Sequence, residues 1–528
     1  MAELTALVAL VAMLLTGHGV LAAAGLGRAR GRLEWFFSAA LVGAATLMAL
    51  ALLVIWIAGP LPVWAGRLLL LVPAGLGLAT LLKGGLGNAP LPAPPSTGFL
   101  EAGPARFAAL ALLAVLVGLV LFTAAASPTH LFDPTFHFAF KGKVLFHEGL
   151  SVGAFADVEG HVGRVMTHPS YPPGLGLFQL LPSWVGGEFS AHGARALLAL
   201  FALAPAAWLY AALLPRGRGA ALTAALLWLS LPVLFYLRVP NPEASKALVG
   251  LVVGPELGES MLGGKGWRPA DGPVLDGGGD LPLAAFFFGA LVHLWRLLRT
   301  GGGADRADLV IVALCATGML LVKNEGLALL AMLLVVGPLV LGIEALVERG
   351  RRLPWRNLGL ASLALVLGGA LTLPWFTFQS HVPSVDESYP DRLTFDRLGA
   401  AWSEPISNDG GSKLTTPASY IADEFASSLL DPLAWNLLWP LFLAALALGL
   451  LRPRRASLHG AGLPLAATTA GLALFFLILT VTPWQLSYLF ATGIPDRLFL
   501  QVAPTAVLAV ALMAFAPRAE DTEPEVAP

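Results

Sequence analysis

The chain has 528 residues, 57% hydrophobic and only 12% charged, with a formal net charge of -1 and a mean hydropathy of +0.76. A soluble domain carries about 25% charged residues, so a soluble globular enzyme is excluded, and so is a disordered chain, which is poor in apolar residues. Near-neutral charge offers nothing to nucleic acid, and the one cysteine, Cys315, lies inside an apolar run, which leaves no disulfide framework and no thiolate metal site.

A spanning helix needs about 20 mostly apolar residues. In chain order such runs fall near 3–26, 34–57, 64–83, 106–126, 193–214, 217–237, 281–298, 308–323, 326–347, 357–378, 430–451, 462–482 and 497–516. The expected fold is an all-α polytopic membrane protein with about 13 transmembrane helices. A further apolar stretch, 172–186, opens with Pro172–Pro173 and contains Pro182. It is too short to span and suits an interfacial or re-entrant helix.

The charges support that choice. With 172–186 kept from spanning, 18 of the 32 Lys/Arg gather on one side, in clusters such as Arg28/Arg30/Arg32, Arg216/Arg218, Arg296/Arg299/Arg306 and Arg349/Arg351/Arg352/Arg356. The positive-inside rule makes that side cytoplasmic. Letting 172–186 span would move every later Arg cluster outside. The long loops 127–192, 238–280 and 379–429 then share the outer, acidic side, where a membrane enzyme would keep its chemistry. The organisation reads as a three-span unit (1–83), a Pro-rich cytoplasmic linker (84–105), a main transmembrane unit (106–516) and an acidic tail (517–528).

Five outer-side segments carry candidate chemistry. Asp133 directly follows a span, with His137 four residues on and so on the same face of a helix. Asp133 suits a general base or a metal ligand, and, being followed by Pro134, it equally suits a helix N-cap. The same loop holds His168 and Tyr171 in Thr167-His-Pro-Ser-Tyr-Pro-Pro-Gly174. Asp280 ends a glycine-rich stretch, Asp276-Gly-Gly-Gly-Asp280, that lets backbone approach a ligand closely. Lys323-Asn-Glu-Gly326 leaves almost no loop between two apolar runs. Ionisable residues there are costly and are functional or paired, so Lys323 reads either as a point charge for phosphate or as the partner of Glu325. Asp496–Arg497 opens the last span, where Arg497 can clamp phosphate or simply snorkel beside Trp484 and Tyr488. No nucleophile elbow, phosphate-binding glycine loop or zinc motif is present.

Together these segments resemble a family. The elements are an acidic residue just after a span in a long first outer loop, a His-Pro-x-Tyr-Pro-Pro segment, a Gly-x-x-Asp-Leu-Pro-Leu before a later span, a Lys-Asn-Glu-Gly-Leu and a late Asp-Arg-Leu. Over roughly 106–510 the chain is similar to bacterial membrane glycosyltransferases of the GT-C fold. That superfamily includes protein O-mannosyltransferases and lipid A aminoarabinose transferases, and the closest likeness is to family-39-like members.

The resemblance implies a long first extracytoplasmic loop carrying interfacial helices, in a bacterial plasma membrane, with the site on the extracytoplasmic side. It implies catalytic roles for Asp133 and Asp280, with Asp133 as base. A divalent metal (Mg or Mn), if used, would sit on Asp133 and Asp280. The second acid of a metal-dependent pair is missing, since position 278 is glycine. Lys323 and Arg497 fall where relatives bind the donor phosphate, and His137, His168, Tyr171, Glu325 and Asp496 would line the donor or acceptor pocket. The implied partners are a polyprenyl-phosphate-linked sugar, a lipid, glycan or protein acceptor, and membrane lipid. A secondary transporter and a non-catalytic lipid-linked-sugar binding protein of the same fold are the alternatives.

Overall fold

The computed structural model describes residues 2–25, 31–84, 103–126, 138–156, 169–235, 278–299, 304–348, 354–382, 392–408, 413–482, 486 and 494–515. These residues are almost entirely helical. A small antiparallel hairpin, β1 (Ile406–Asn408) with β2 (Lys413–Thr415), is the one departure among them from the expected all-α fold.

The helices, in chain order, begin with α1 (Ala2–Ala23), α2 (Arg32–Ala58), α3 (Val63–Gly84) and α4 (Gly103–Ala126). Short helices α5 (Phe140–His147) and α6 (Val152–Ala156) precede α7 (Gly174–Gly186). Then come α8 (Ala191–Leu213), α9 (Arg218–Leu229) and α10 (Pro232–Phe235). The central set is α11 (Asp280–Arg299), α12 (Arg306–Val322), α13 (Glu325–Val347), and α14 (Trp355–Ala370) with α15 (Leu373–Gln379). The last part runs α16 (Phe395–Ser403), α17 (Pro417–Leu429), α18 (Pro432–Trp435), α19 (Leu438–Leu451), α20 (Pro453–Leu458), α21 (Gly462–Thr480) and α22 (Ile494–Ala514).

Among the described residues, nine helices are long and apolar enough to cross a membrane, or ten if α14 and α15 are one bent span. Each of the thirteen expected spans contains a helix. Two are much shorter than expected: α9 has 12 residues and α19 has 14. The expected span 357–378 is bent by 46° between α14 and α15. Pro374 explains the break, because its ring removes an N–H donor and crowds the preceding turn. The most enclosed spans are α11, α22 and α8, whereas α3 and α4 face outward over most of their surface.

Side-chain contacts sort the helix ends into two sides. At one side, Arg216 donates to the carbonyls of Leu512, Phe515 and His459. There Trp295 donates to Gly460 O at 2.7 Å, Arg299 to Ser457 O at 3.2 Å, and Arg296 pairs with Glu34. Arg216, Arg296 and Arg299 all belong to the basic set that the sequence places on a single side. Arg296 and Arg299 occupy the last turn of α11, where the helix dipole favours cations. The opposite end of α11 begins at Asp280, about 30 Å away along a 20-residue helix.

The doubtful stretch 172–186 is α7, a helix of 13 residues. At its start, a Cβ added to Gly174 would fall 2.4 Å from Leu321 O, at the Asp280 side of α12. At its end, Arg67 donates to Trp184 O at 3.0 Å and to Val185 O at 3.2 Å, and Gly186 abuts Thr5. Arg67 and Thr5 lie near the starts of α3 and α1, which face the same side as Asp280. Both ends of α7 therefore meet one side of the bundle.

The three N-terminal helices pack into the main body. Ser38 of α2 accepts a hydrogen bond from Trp208 of α8 at 3.0 Å, and Trp184 of α7 covers Gly66 of α3.

Candidate functional site

Asp280, Lys323 and Arg497 meet at one end of the bundle. Lys323 Nζ lies 2.8 Å from Asp280 Oδ1, and Arg497 Nε lies 2.9 Å from Asp280 Oδ2. Gln501 Nε2 donates to Asp280 Oδ1 at 2.8 Å, and Lys323 also donates to Glu325 Oε1 at 3.1 Å. Four helix ends contribute: the start of α11, the end of α12, the start of α13 and the first turns of α22. Asp280 is 2% exposed and Gln501 is fully buried.

Local sequence explains how the groups reach each other. Lys323 closes α12 in an extended conformation, with φ -153° and ψ 153°, which turns its side chain out of the helix. Gly326 lets α13 start at once, since an added Cβ would fall 2.2 Å from Met319 O. Gly279 clears the approach in the same way. A Cβ there would come 3.1 Å from Lys323 Cγ and 3.3 Å from Phe138 Cζ. Asp280 then sits in the first turn of α11, where the helix dipole stabilises an anion.

The electrostatics are balanced, with two carboxylates facing two cations. Burial alone would depress the Lys323 ammonium, but Asp280 and Glu325 outweigh it and hold the group above the ordinary lysine range. Its charge is therefore secured. Burying such groups unpaired would cost several kcal/mol each, so the cluster is either function or a lock.

Of the expected site residues, Asp280, Lys323, Glu325 and Arg497 come together. Asp496 lies beside them in sequence but points elsewhere, accepting from Trp435 Nε1 at 3.0 Å. Tyr171 contributes its carbonyl, which accepts from Lys141. Asp133, His137 and His168 lie outside the described residues. Phe138, five residues after Asp133, touches the Gly279–Lys323 corner.

Two expected roles change. Asp280, expected in a catalytic role, has both oxygens occupied by donors. A carboxylate bracketed by an ammonium and a guanidinium also makes a poor metal ligand, because both cations repel the ion. No group of three or more His, Cys, Asp or Glu is placed to hold a metal among the described residues. Asp280 instead anchors Lys323 and Arg497.

Two residues were not anticipated. Gln501 lies one helical turn beyond Arg497, and a buried polar residue in a span was a readable signal. Lys141 is fully buried, with Nζ 5.6 Å from the Trp375 ring centroid and 5.9 Å from that of Phe155. With Gln379, which donates to Ser170 O at 2.7 Å, it fastens the segment before α7. Its loop sequence gave no sign of burial.

Comparison with family models, curated proteins and solved structures finds no match for this chain.

Proposed function

We propose that this protein is a membrane glycosyltransferase that moves a sugar from a polyprenyl-phosphate donor to an acceptor hydroxyl. The observation that carries the reading is the convergence of Lys323 and Arg497 on one buried carboxylate, at the ends of α11, α12 and α22. A fixed ammonium and a fixed guanidinium are the groups that stabilise charge developing on a departing phosphate. Preorganisation by Asp280 holds both in place before substrate arrives.

In this reading the acceptor oxygen forms a bond to the anomeric carbon as the bond from that carbon to the phosphate oxygen breaks. The hydroxyl proton passes to Asp133, and the electron pair leaves with polyprenyl phosphate. Lys323 and Arg497 oppose the new charge. The direction of the site, outward from a bacterial plasma membrane, belongs to the same proposal.

The test is transfer from decaprenyl-phosphate conjugates of mannose, glucose, galactose, N-acetylglucosamine and arabinose, followed as label leaving the lipid in membranes containing the protein. At least one donor is expected to turn over. Asp133→Asn is expected to lower that rate by about 10²–10⁴-fold, the usual contribution of a general base. Folded protein inactive on all five donors would overturn the reading.

One observation favours a second reading. The break between α14 and α15, together with a buried ion-pair cluster at one side, is also what a secondary transporter presents. Substrate-driven proton or sodium flux in proteoliposomes, with no label transfer, would support it.

A further inference from the structure

The charge cluster leaves two hydrogen-bond acceptors unused. Gln501 turns its amide nitrogen to Asp280, which fixes the orientation of the amide, since its oxygen would repel the carboxylate. The opposite atom, Oε1, is buried and has no partner. Glu325 gives Oε1 to Lys323 and likewise leaves Oε2 buried without a partner. Lys323 has three N–H donors, of which Asp280 and Glu325 take two. The site thus lacks donors more than it lacks charge. A buried acceptor left unmade is costly, so two beside one ion cluster point to a ligand that completes them.

A hydroxyl is the group that both donates and accepts. It can donate to Gln501 Oε1 or Glu325 Oε2 while accepting from the third N–H of Lys323. An anionic group set directly against these two acceptors would be repelled, so a phosphate belongs beside Lys323 and Arg497 and not here. A bare cation would meet Lys323 and Arg497. Because the carboxylates and cations balance, a neutral polyhydroxyl group fits best.

We infer that Gln501 and Glu325 recognise hydroxyls of the donor's sugar, beside the cations that hold its phosphate. This rests on the transferase reading and adds to it the part of the site that distinguishes a sugar-bearing lipid from a bare one. Gln501 is placed for this because it lies one turn deeper than Arg497 on the same helix face.

The experiment measures binding of two probes to purified protein in nanodiscs. One is decaprenyl phosphate, and the other is the decaprenyl-phosphate sugar that turns over best in the transfer assay. The readout is the ratio of the two affinities, in wild type, Gln501→Met and Glu325→Gln, each checked for a monodisperse elution profile. Each substitution is expected to lower the preference for the sugar-bearing lipid about tenfold, the worth of one hydrogen bond to a charged or buried group. Glu325→Gln keeps an oxygen for Lys323, so it stays informative if Gln501→Met misfolds.

An unchanged ratio in the folded variants would overturn the inference and assign the orphan acceptors to ordered water, with the transferase reading intact. Absence of turnover with every donor overturns the reading itself, and the inference with it.

Discussion

Lys323 reaches Asp280 across 43 positions of sequence, at 2.8 Å, with 7% and 4% of the two side chains exposed. Breaking a buried ion pair by removing one partner typically costs about 3–5 kcal/mol, because the other charge is stranded. Asp280→Asn takes a carboxylate away from both Lys323 and Arg497, and Lys323→Met takes the ammonium away from both Asp280 and Glu325. Both variants are expected to unfold at lower temperature in detergent. The double variant should lose less than the sum, with a coupling of about 0.5–3 kcal/mol. Additive losses would show that the contact carries no energy.

The pH dependence of this pair has a definite sign. The folded pKa of Lys323 lies above its ordinary value. Its contribution to stability is therefore fully present below the unfolded value, about 10.4, and is lost as pH rises through the folded one. The difference in melting temperature between wild type and Lys323→Met should stay constant from about pH 6 to pH 9 and shrink only in stronger alkali. A difference that shrinks already near neutral pH would mean that Lys323 is uncharged in the fold.

Much of this site was legible because charges are rare in the chain. An ionisable residue between apolar runs stands out, and Asp280, Lys323, Glu325 and Arg497 were found that way. Their pairing was not legible, since Asp280 and Arg497 are 217 positions apart and meet only through helix packing. Sequence therefore offered Lys323 and Arg497 to an incoming phosphate, whereas the fold gives both to Asp280 first. Span positions were read from apolar runs and span lengths were not. Apolar content continues through Pro374 and past Ser230, where backbone hydrogen bonding stops the helices. That both ends of α7 meet one side was legible from its short length, its prolines and the placing of the Arg clusters.

The N-terminal helices give a third expectation. Residues 1–83 precede the stretch 106–510 that carries the charged outer-side motifs, which suggests a removable unit. The packing argues otherwise. Deleting them would strand Arg296 without Glu34, leave Trp208 Nε1 without Ser38, and uncover Trp184. A chain of residues 84–528 should express poorly and elute as aggregate. Glu34→Gln in the full chain should lower the melting temperature while keeping a single elution peak. A monodisperse truncated protein would show that the unit is dispensable for folding.

The final expectation separates close packing from helix propensity. A Cβ at Gly17 would fall 1.8 Å from Ala39 O, and one at Gly43 would fall 1.8 Å from Met13 O, so α1 and α2 touch backbone to backbone. Small residues permit such crossings in membranes, where van der Waals contact rather than hydrophobicity holds helices together. Gly17→Ala must separate the helices, and overpacking of this kind costs about 1–3 kcal/mol. Gly75 on α3 has nothing within 4 Å of an added Cβ. There alanine only stiffens a helix, so Gly75→Ala should be neutral or stabilising by up to about 1 kcal/mol. Melting both variants in the same detergent checks the pair. If Gly17→Ala melts no lower than Gly75→Ala, the two helices do not cross as closely as their backbones lie here.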